Sequence, residues 1–582
     1  MASAAEEPQS LALAFFLWQR IRQLGVQSIM GVPGDMNLEL LDYIDDVEGL
    51  NWVGNANELN AAYAADGYCR VKGTPGVLVT TMGVGELSAL NGVAGAYTEQ
   101  VKLIHVVGTT ATETQEKRAM IHHSLGSNPD HRVYDKISTH VRATHCWLDN
   151  IATAPHEIDR VLRECYLQSL PVYIFVPMDF VHTCIPASFL DRPVDLLPKV
   201  DTTSFEAAAQ TVLSRLHAAK APTIVVDALV ARFGATTVAR QLVDLIQIPT
   251  FSTPMGKSIV DESRSYYYGV YNGSVSHPGI ASSIEEKSDL VLDLGPCLSD
   301  SNTGGHSRNI KEKNYISVAA THVTAGNKTY DGVPLVHFLT SLVEALQSHP
   351  LAPVPSLQLP PEVVPTDLEA EHITQSWIWR RIGKMVRPGD ILLAESGTAQ
   401  FGFSDAVFPT QVQYLTQIYF GSIGYSVPAC FGAALAQKES GSAGRTILVV
   451  GDGSLQLTVQ EIGTMIKLGM KNVIIIVINN GGYTIERAIH GAEKAYNDIA
   501  TWDHQLLLSV FGLKDGRVNS QRVASKAAFE EVINSPTYTD LQSIQVLEVM
   551  MEKMDLPWRL KAQIDLINVR NAAAMAIAPP VS

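Results

Sequence analysis

Residues Val449–Glu486 read VVGDGSLQLTVQEIGTMIKLGMKNVIIIVINNGGYTIE. The run RTILVV, ending at Val450, has the composition of a buried strand. GDGS forms a tight turn at its carboxyl end. LQLTVQEIGTMIKLG has helical spacing, with Val459, Ile462, Met465 and Ile466 on one face. NVIIIVI is a second strand, ending in NNGG. Such a strand–helix–strand unit brings Asp452 and Asn480 to the same sheet end. The glycines let backbone approach a ligand closely, and a helix start favours an anion. A carboxylate, an amide oxygen and a main-chain carbonyl are hard donors, a set that suits Mg²⁺ bridging phosphate oxygens. The plain alternative is an ordinary Rossmann-like turn, and a lone GDG would deserve it. GDG followed by NN at this separation is more specific, and the turn is not the GxGxxG dinucleotide fingerprint.

Working outward, two linkers divide the 582 residues: FLDRPVDLLPKVDTT at 189–203 and the proline-dense SHPLAPVPSLQLPPEVVPTD at 348–367. Each resulting segment alternates short β-rich runs with helical ones. SIMGVPG, GVLVTTMG and KLIHVVG are strands of the first segment, PTIVVDA and DLVLDLG of the second, DILLAES, RTILVVGDG and NVIIIVINN of the third. Continuous Val/Ile/Leu runs between helices predict parallel sheets covered on both faces. The expected class is α/β, with three doubly wound parallel-sheet domains over 1–190, 200–347 and 368–560. Ligands in such domains sit at the carboxyl ends of the strands.

Composition narrows the function classes. The chain is 46% hydrophobic and 18% charged, with a net charge of −16. It has no Lys/Arg cluster to neutralise phosphates, so neither nucleic acid nor a membrane surface is an expected partner. The six cysteines are scattered without a CxxC pair, which suggests neither a disulfide framework nor a zinc site. MASAAEEPQS carries acid where a signal peptide carries base, and LALAFFLWQRIRQLG reads as a packed first helix. A cytoplasmic protein is the expectation.

The GDG…NN unit resembles the thiamine diphosphate (ThDP) motif. GVPGDMNLELLDYI, WVGNANELNAAYAADGYCRVKG and TTMGVGELSALNGVAGAY resemble the pyrimidine-binding domain of the pyruvate decarboxylase family. The likeness runs from about Phe15 to beyond Asp503, with the three domains (pyrimidine-binding, middle, diphosphate-binding) in family order. It implies that Asp452 and the Asn480 side chain bind Mg²⁺ together with the Gly482 carbonyl, and that Gly453 and Ser454 serve the cofactor. The family's acid and base positions match Asp35 in PGDMN, Glu58 in NANEL, the pair His122–His123 in RAMIHHSLG and Glu486 in GYTIE. Each has a plainer reading: a helix cap for Asp35, a favoured helix-start acid for Glu58, a solvated charge for Glu486, an exposed loop for the histidines. Their joint occurrence in order, with the metal motif, favours the chemical reading.

The resemblance implies non-oxidative decarboxylation of a 2-oxo acid, most simply pyruvate, to an aldehyde and CO₂. Losing CO₂ leaves a carbanion that water does not stabilise, and the thiazolium of ThDP takes up those electrons. Glu58 is then the partner of the pyrimidine ring nitrogen, Ile423 the apolar support that bends the cofactor, and Gly397 and Gly421 the source of carbonyls facing the pyrimidine. Thr398 is a neighbouring hydroxyl. Asp35, His122, His123 and Glu486 move protons near neutral pH, the range in which His titrates. Tyr271, Gln400, Phe401, Ile485 and Ile489 match substrate-pocket positions. Two departures stand out. Gln400 occupies a position that is small in yeast-like enzymes, and Leu229 and Val230 occupy the places of a cysteine pair implicated in their activation. The alternatives are a decarboxylase of bulkier 2-oxo acids such as indolepyruvate, phenylpyruvate or branched-chain acids, an acetolactate-forming carboligase, and a non-catalytic paralogue. The family also implies a homodimer or homotetramer with active sites between subunits.

Overall fold

The strand Gly76–Thr81 is buried at every position, as are Leu103–Thr109 and Val172–Pro177. Runs without polar alternation belong inside a parallel sheet covered on both faces. These three are the centre of an all-parallel sheet ordered Asn51–Trp52, Ser28–Gly31, Gly76–Thr81, Leu103–Thr109, Val172–Pro177, Thr144–Trp147. The computed structural model describes residues 10–361 and 364–577. The stretch read as too acidic for a signal lies, through Gln9, outside the described residues, as do Glu362 and Val363 of the proline-rich linker.

The third segment builds a second all-parallel sheet: Gln413–Thr416, Ile391–Ala394, Thr446–Gly451, Val473–Asn479, Gln545–Met550, Ser520–Val523. In chain order both sheets read 2-1-3-4-6-5. The direction of winding therefore reverses between the first and third strands of each, and the crevice of such a sheet opens there, beyond the strand ends. The middle sheet differs from the expected wholly parallel one. Tyr267–Val270, Thr250–Ser252, Pro222–Val226, Leu290–Leu294 and Tyr315–Val318 are parallel, but His322–Ala325 and Lys328–Asp331 add antiparallel strands at one edge. Their connections are too short for a parallel crossover, and Gly326, at φ +62°, helps close the last hairpin.

The chain packs as two compact units. One runs through Pro198 and takes in Pro428–Ser442 and Gln460–Leu468; the other holds Lys199–Val427, Ala443–Val459 and the chain from Gly469. Within the first unit, helices Glu58–Lys72 and Ser426–Glu439 cross backbone to backbone. A Cβ on Gly432 would lie 1.9 Å from the Ala64 carbonyl oxygen, and one on Gly67 would lie 2.2 Å from that of Ala429. Glu439 locks the crossing by accepting from Ser28 Oγ (2.5 Å), Tyr68 OH (2.6 Å) and Lys72 Nζ (3.1 Å).

Two local expectations need correction. Leu11 and Ala12 are not helical: Ser10–Ala12 pairs antiparallel with Cys184–Pro186, and the helix spans Leu13–Gln23. The helix after the GDG turn begins at Asp452 itself and is broken into Asp452–Thr458 and Glu461–Lys467. At Val459 and Gln460 ψ is −25°, and Gly463 N donates to the Gln460 carbonyl, a tightened 3₁₀-type turn.

Candidate active site

Asp452 opens a helix directly from strand Thr446–Gly451, where backbone N–H groups lack intrahelical partners. Its Oδ1 accepts from Gly453 N at 2.9 Å, and its Oδ2 from Gly481 N at 2.9 Å and Gly482 N at 3.0 Å. The last two belong to the turn after strand Val473–Asn479. Gly482 has φ +121°, and a Cβ there would lie 2.4 Å from the Asn497 carbonyl oxygen, so only glycine fits. Asp452 is 2% exposed. Burial pushes its carboxyl above the usual range despite the three N–H groups.

The Asn480 amide oxygen lies 2.9 Å from the Gly482 carbonyl oxygen and 3.2 Å from Asp452 Oδ1, with no proton between them, while its nitrogen faces Thr484 Oγ1 at 2.9 Å. Turning the amide over would satisfy these atoms by hydrogen bonds. A divalent cation satisfies the oxygens without that turn. Adjacent ligands of an octahedron with bonds of about 2.1 Å stand about 3.0 Å apart. The donor set and spacing fit Mg²⁺.

The same cleft is lined by Glu395, Gly397, Thr398, Ile423, Gly453, Ser454, Ile485 and Glu486. Nothing stands within 4 Å of where a Gly397 Cβ would point, which leaves that side of its backbone open. Gly421, at φ +65°, is exposed in the loop before Ile423. Gly453 makes room for the Tyr483 ring, 2.7 Å from a hypothetical Cβ.

The first unit gathers the other candidates. Asn57 caps helix Glu58–Lys72, its side chain accepting from Asn60 N at 2.8 Å, and so fixes Glu58 at the first helical position. Gly85 leaves space for Glu58, whose Oε1 would be 3.3 Å from a Cβ there. Asp35 is not a helix cap: Asn37 holds the N-cap position of Leu38–Asp42 and accepts from Gly34 N. The Asp35 carboxylate instead meets His122 Nε2 at 2.6 Å, and the His123 ring packs edge-on to His122.

The pocket positions fare unevenly. Gln400 and Phe401 sit on helix Thr398–Gly402, and Gln400 Oε1 is buried without a hydrogen-bond partner. Ile489, at the end of Thr484–Ile489, is 57% exposed. Tyr271 is fully buried in a core cluster with Val225, Phe251 and Ile280, donates to Glu285 Oε1 at 2.6 Å, and does not line the cleft. Leu229 and Val230 are buried on helix Leu229–Arg232.

Sequence reasoning passed over three groups. Arg487, buried, donates to the Gly481 carbonyl at 3.1 Å and steadies the turn after strand Val473–Asn479; its place one residue after Glu486 was the only signal. Glu395 closes the cleft floor, accepting from Ser426 Oγ at 2.6 Å, and burial raises its carboxyl. Glu461, also raised by burial, accepts from Asn55 Nδ2 at 2.7 Å, while Asn55 Oδ1 accepts from Gly31 N. Neither glutamate stands in a motif.

Residues 12–132 match the N-terminal TPP binding domain of thiamine pyrophosphate enzymes, 209–346 their central domain and 395–541 their C-terminal TPP binding domain. The chain is 42% identical to the pyruvate decarboxylase of Candida glabrata and 41% identical to pyruvate decarboxylase isozyme 1 of Saccharomyces cerevisiae. Each match covers 97% of this chain and 99% of the relative. The Aspergillus terreus pyruvate decarboxylase is 42% identical over 96% of this chain and 97% of its own. The chain belongs to the thiamine diphosphate-dependent pyruvate decarboxylase family. This family uses thiamine diphosphate (the pyrophosphate of the domain names) with a divalent metal ion, generally Mg²⁺, and its members are carboxy-lyases. Among the described residues no helix is long and apolar enough to cross a membrane.

Proposed function

We propose that this chain decarboxylates pyruvate to acetaldehyde and CO₂ with Mg²⁺ and ThDP, in the cytoplasm. The observation that carries the reading is the Asp35–His122–His123 cluster, because replacing CO₂ by a proton requires groups that give and take protons near neutral pH. A carboligase must withhold that proton from the same carbon; a decarboxylase must deliver it.

In this reading the roles are these. Residues 1–190 form the pyrimidine-binding domain, 200–347 the central domain and 368–560 the diphosphate-binding domain. Asp452, the Asn480 side chain and the Gly482 carbonyl hold Mg²⁺, while Gly453 and Ser454 at the helix start face the diphosphate. Bound ThDP supplies the electron sink for the cleaved C–C bond. Glu58 holds a proton at the pyrimidine ring nitrogen. Ile423 would support the cofactor rings, Gly397 and Gly421 would offer backbone carbonyls to the pyrimidine, and Thr398 would lend its hydroxyl. Asp35, His122, His123 and Glu486 protonate the carbonyl-derived oxygen and carbon. Phe401, Gln400 and Ile485 bound the acyl group.

The second reading is a larger 2-oxo acid. Tyr271 is spent in the core and Ile489 faces outward, which leaves fewer side chains to crowd a bulky acyl group. Initial rates with pyruvate, 2-oxoisovalerate, phenylpyruvate and indolepyruvate decide between the two. Acetolactate in place of acetaldehyde would overturn both.

The active form is at least a homodimer. Helix Val84–Thr98 exposes Val84 (51%) and Leu87 (43%) one turn apart, an apolar stripe that a second copy would cover. If Glu58 and Asp452 of one site come from different subunits, mixing inactive Glu58→Gln and Asp452→Ala proteins restores activity on subunit exchange. No recovery in verified mixed dimers would place each site within one chain.

A further inference from the structure

Neighbouring side chains of an extended segment point apart, yet the rings of His122 and His123 meet with centroids 4.6 Å apart at 73°. The backbone is the cause. His123 lies in the left-handed region at φ +67°, where a non-glycine residue needs support from its surroundings. The buried Tyr134 supplies it, its hydroxyl donating to the His123 carbonyl at 2.6 Å. Gly83 fits beneath this contact, since a Cβ there would lie 2.8 Å from the Tyr134 ring and 2.9 Å from that carbonyl. The loop is pinned again at buried His131, whose ring nitrogens meet Thr110 Oγ1 and the Ala119 carbonyl, both at 3.0 Å.

The two imidazoles are thus held together on one side, and Asp35 completes a trio. One ligand atom from each of Asp35, His122 and His123 lies within 4.8 Å of the others, the only such group of three His, Cys, Asp or Glu side chains among the described residues. Asp35 and His122 are more than half exposed, so an ion from solvent reaches them.

We propose that Asp35, His122 and His123 form a binding site for a divalent transition ion of the zinc class, separate from the Mg²⁺ position at Asp452. Two imidazole nitrogens and one carboxylate are the donor set of open zinc sites, which keep a fourth position for water or a substrate oxygen. Imidazole favours Zn²⁺, Ni²⁺ and Cu²⁺, whereas Mg²⁺ prefers oxygen donors and retained waters. On binding, the Asp35–His122 hydrogen bond gives way to two metal bonds and any proton it shared is released. The ion then occupies the lone pairs that proton transfer needs. Resting on the decarboxylase reading above, it acts as a reversible inhibitor.

The test uses holoenzyme saturated with ThDP and excess Mg²⁺, titrated with Zn²⁺ by calorimetry. One Zn²⁺ per chain should bind without displacement by Mg²⁺, and His123→Ala and Asp35→Asn should each weaken it by at least about 10-fold. Co²⁺ in its place should give visible ligand-field absorption that His123→Ala removes. Unchanged Zn²⁺ affinity in His123→Ala, or competition by Mg²⁺, would overturn the site. Zn²⁺ binding that leaves CO₂ release untouched would keep the site and overturn the proton-transfer reading. No Zn²⁺ binding, in an enzyme that His123→Ala still inactivates, would do the reverse.

Discussion

The first and third sheets share one strand order but end their third strands in opposite ways. After Gly76–Thr81 the chain turns through Gly83, at φ +74°, and the Glu86 side chain reaches back to accept from Gly83 N at 2.9 Å. That helix start is closed by its own carboxyl. After Thr446–Gly451 the helix begins at once with Asp452, whose shorter side chain reaches across to Gly481 and Gly482 of the neighbouring strand's turn. Both acids are buried and raised by burial, Glu86 to about 8. The difference lies in what stands opposite. Glu86 spends one oxygen on its own helix start, with the Asp135 carboxylate and the Arg142 guanidinium nearby, whereas Asp452 shares its surroundings with the Asn480 amide and the Gly482 carbonyl. One topology therefore gathers oxygen donors at a helix start in one place and closes the helix start with its own carboxyl in the other. The closed start frees the mouth of the first sheet for Asp35, Glu58 and the histidines.

Breaking the third-sheet side should have the largest effect. Asp452→Ala removes an anionic donor and the acceptor of three backbone N–H groups, so cofactor retention through gel filtration and CO₂ release should both be abolished, with poor rescue by added Mg²⁺. Tight ThDP retention by this variant would contradict the assignment. On the first-sheet side, Glu58→Gln should keep the cofactor but lower kcat by roughly 10²–10⁴-fold, the usual worth of a positioned acid–base group. Near-normal turnover would dissolve the distinction between a binding side and a proton-handling side.

What was legible in the sequence follows the same division. The apolar runs of both parallel sheets were readable because burial on two faces leaves few polar residues to blur them, His105 and Thr80 among the exceptions. The GDG…NN unit was readable because its chemistry is local: 28 positions along the chain separate Asp452 from Asn480, across a single crossover. The antiparallel edge of the middle sheet escaped because His322–Ala325 and Lys328–Asp331 are short and half exposed, with no continuous apolar run. Glu461 escaped because its partner Asn55 lies 406 positions away and is brought to it by tertiary packing; Arg487 escaped because its partner, the Gly481 carbonyl six residues back, is a backbone group that no side-chain pattern marks. Tyr271 was matched by position alone, and the core claims its ring.

A subtler contrast tests the sealed turn. Burial moves Glu86 from the ordinary 4.5 to about 8, so the folded state keeps a proton that the unfolded chain releases between those values. The stability it contributes is fully present below about pH 4.5 and is lost as pH rises through about 8. Glu86→Gln stays neutral throughout. Its urea midpoint should therefore fall less than that of the wild type between about pH 5 and pH 8. Parallel curves would mean that Glu86 is ionised in the fold and that the two helix starts are electrostatically alike.

The smallest effect concerns substrate size, which the proposed function sets on the third-sheet side. Gln400 carries a buried, unpartnered Oε1, and Ile485 lines the cleft beside Glu486. Gln400→Ala with Ile485→Val removes bulk from both, and one methylene in an apolar pocket changes discrimination by about 1–3 kcal/mol, roughly 10-fold or more. The double variant should shift kcat/KM from pyruvate towards phenylpyruvate by about that factor. Asp35→Asn, on the first-sheet side, should lower both substrates alike, because proton delivery does not sense the acyl chain. If Asp35→Asn changes the ratio and the pocket variant does not, selectivity is set at the proton-handling mouth and the division between the two sheets is wrong. If the wild type already prefers phenylpyruvate, Gln400 and Ile485 leave the acyl site open, and the larger 2-oxo acids become the substrates.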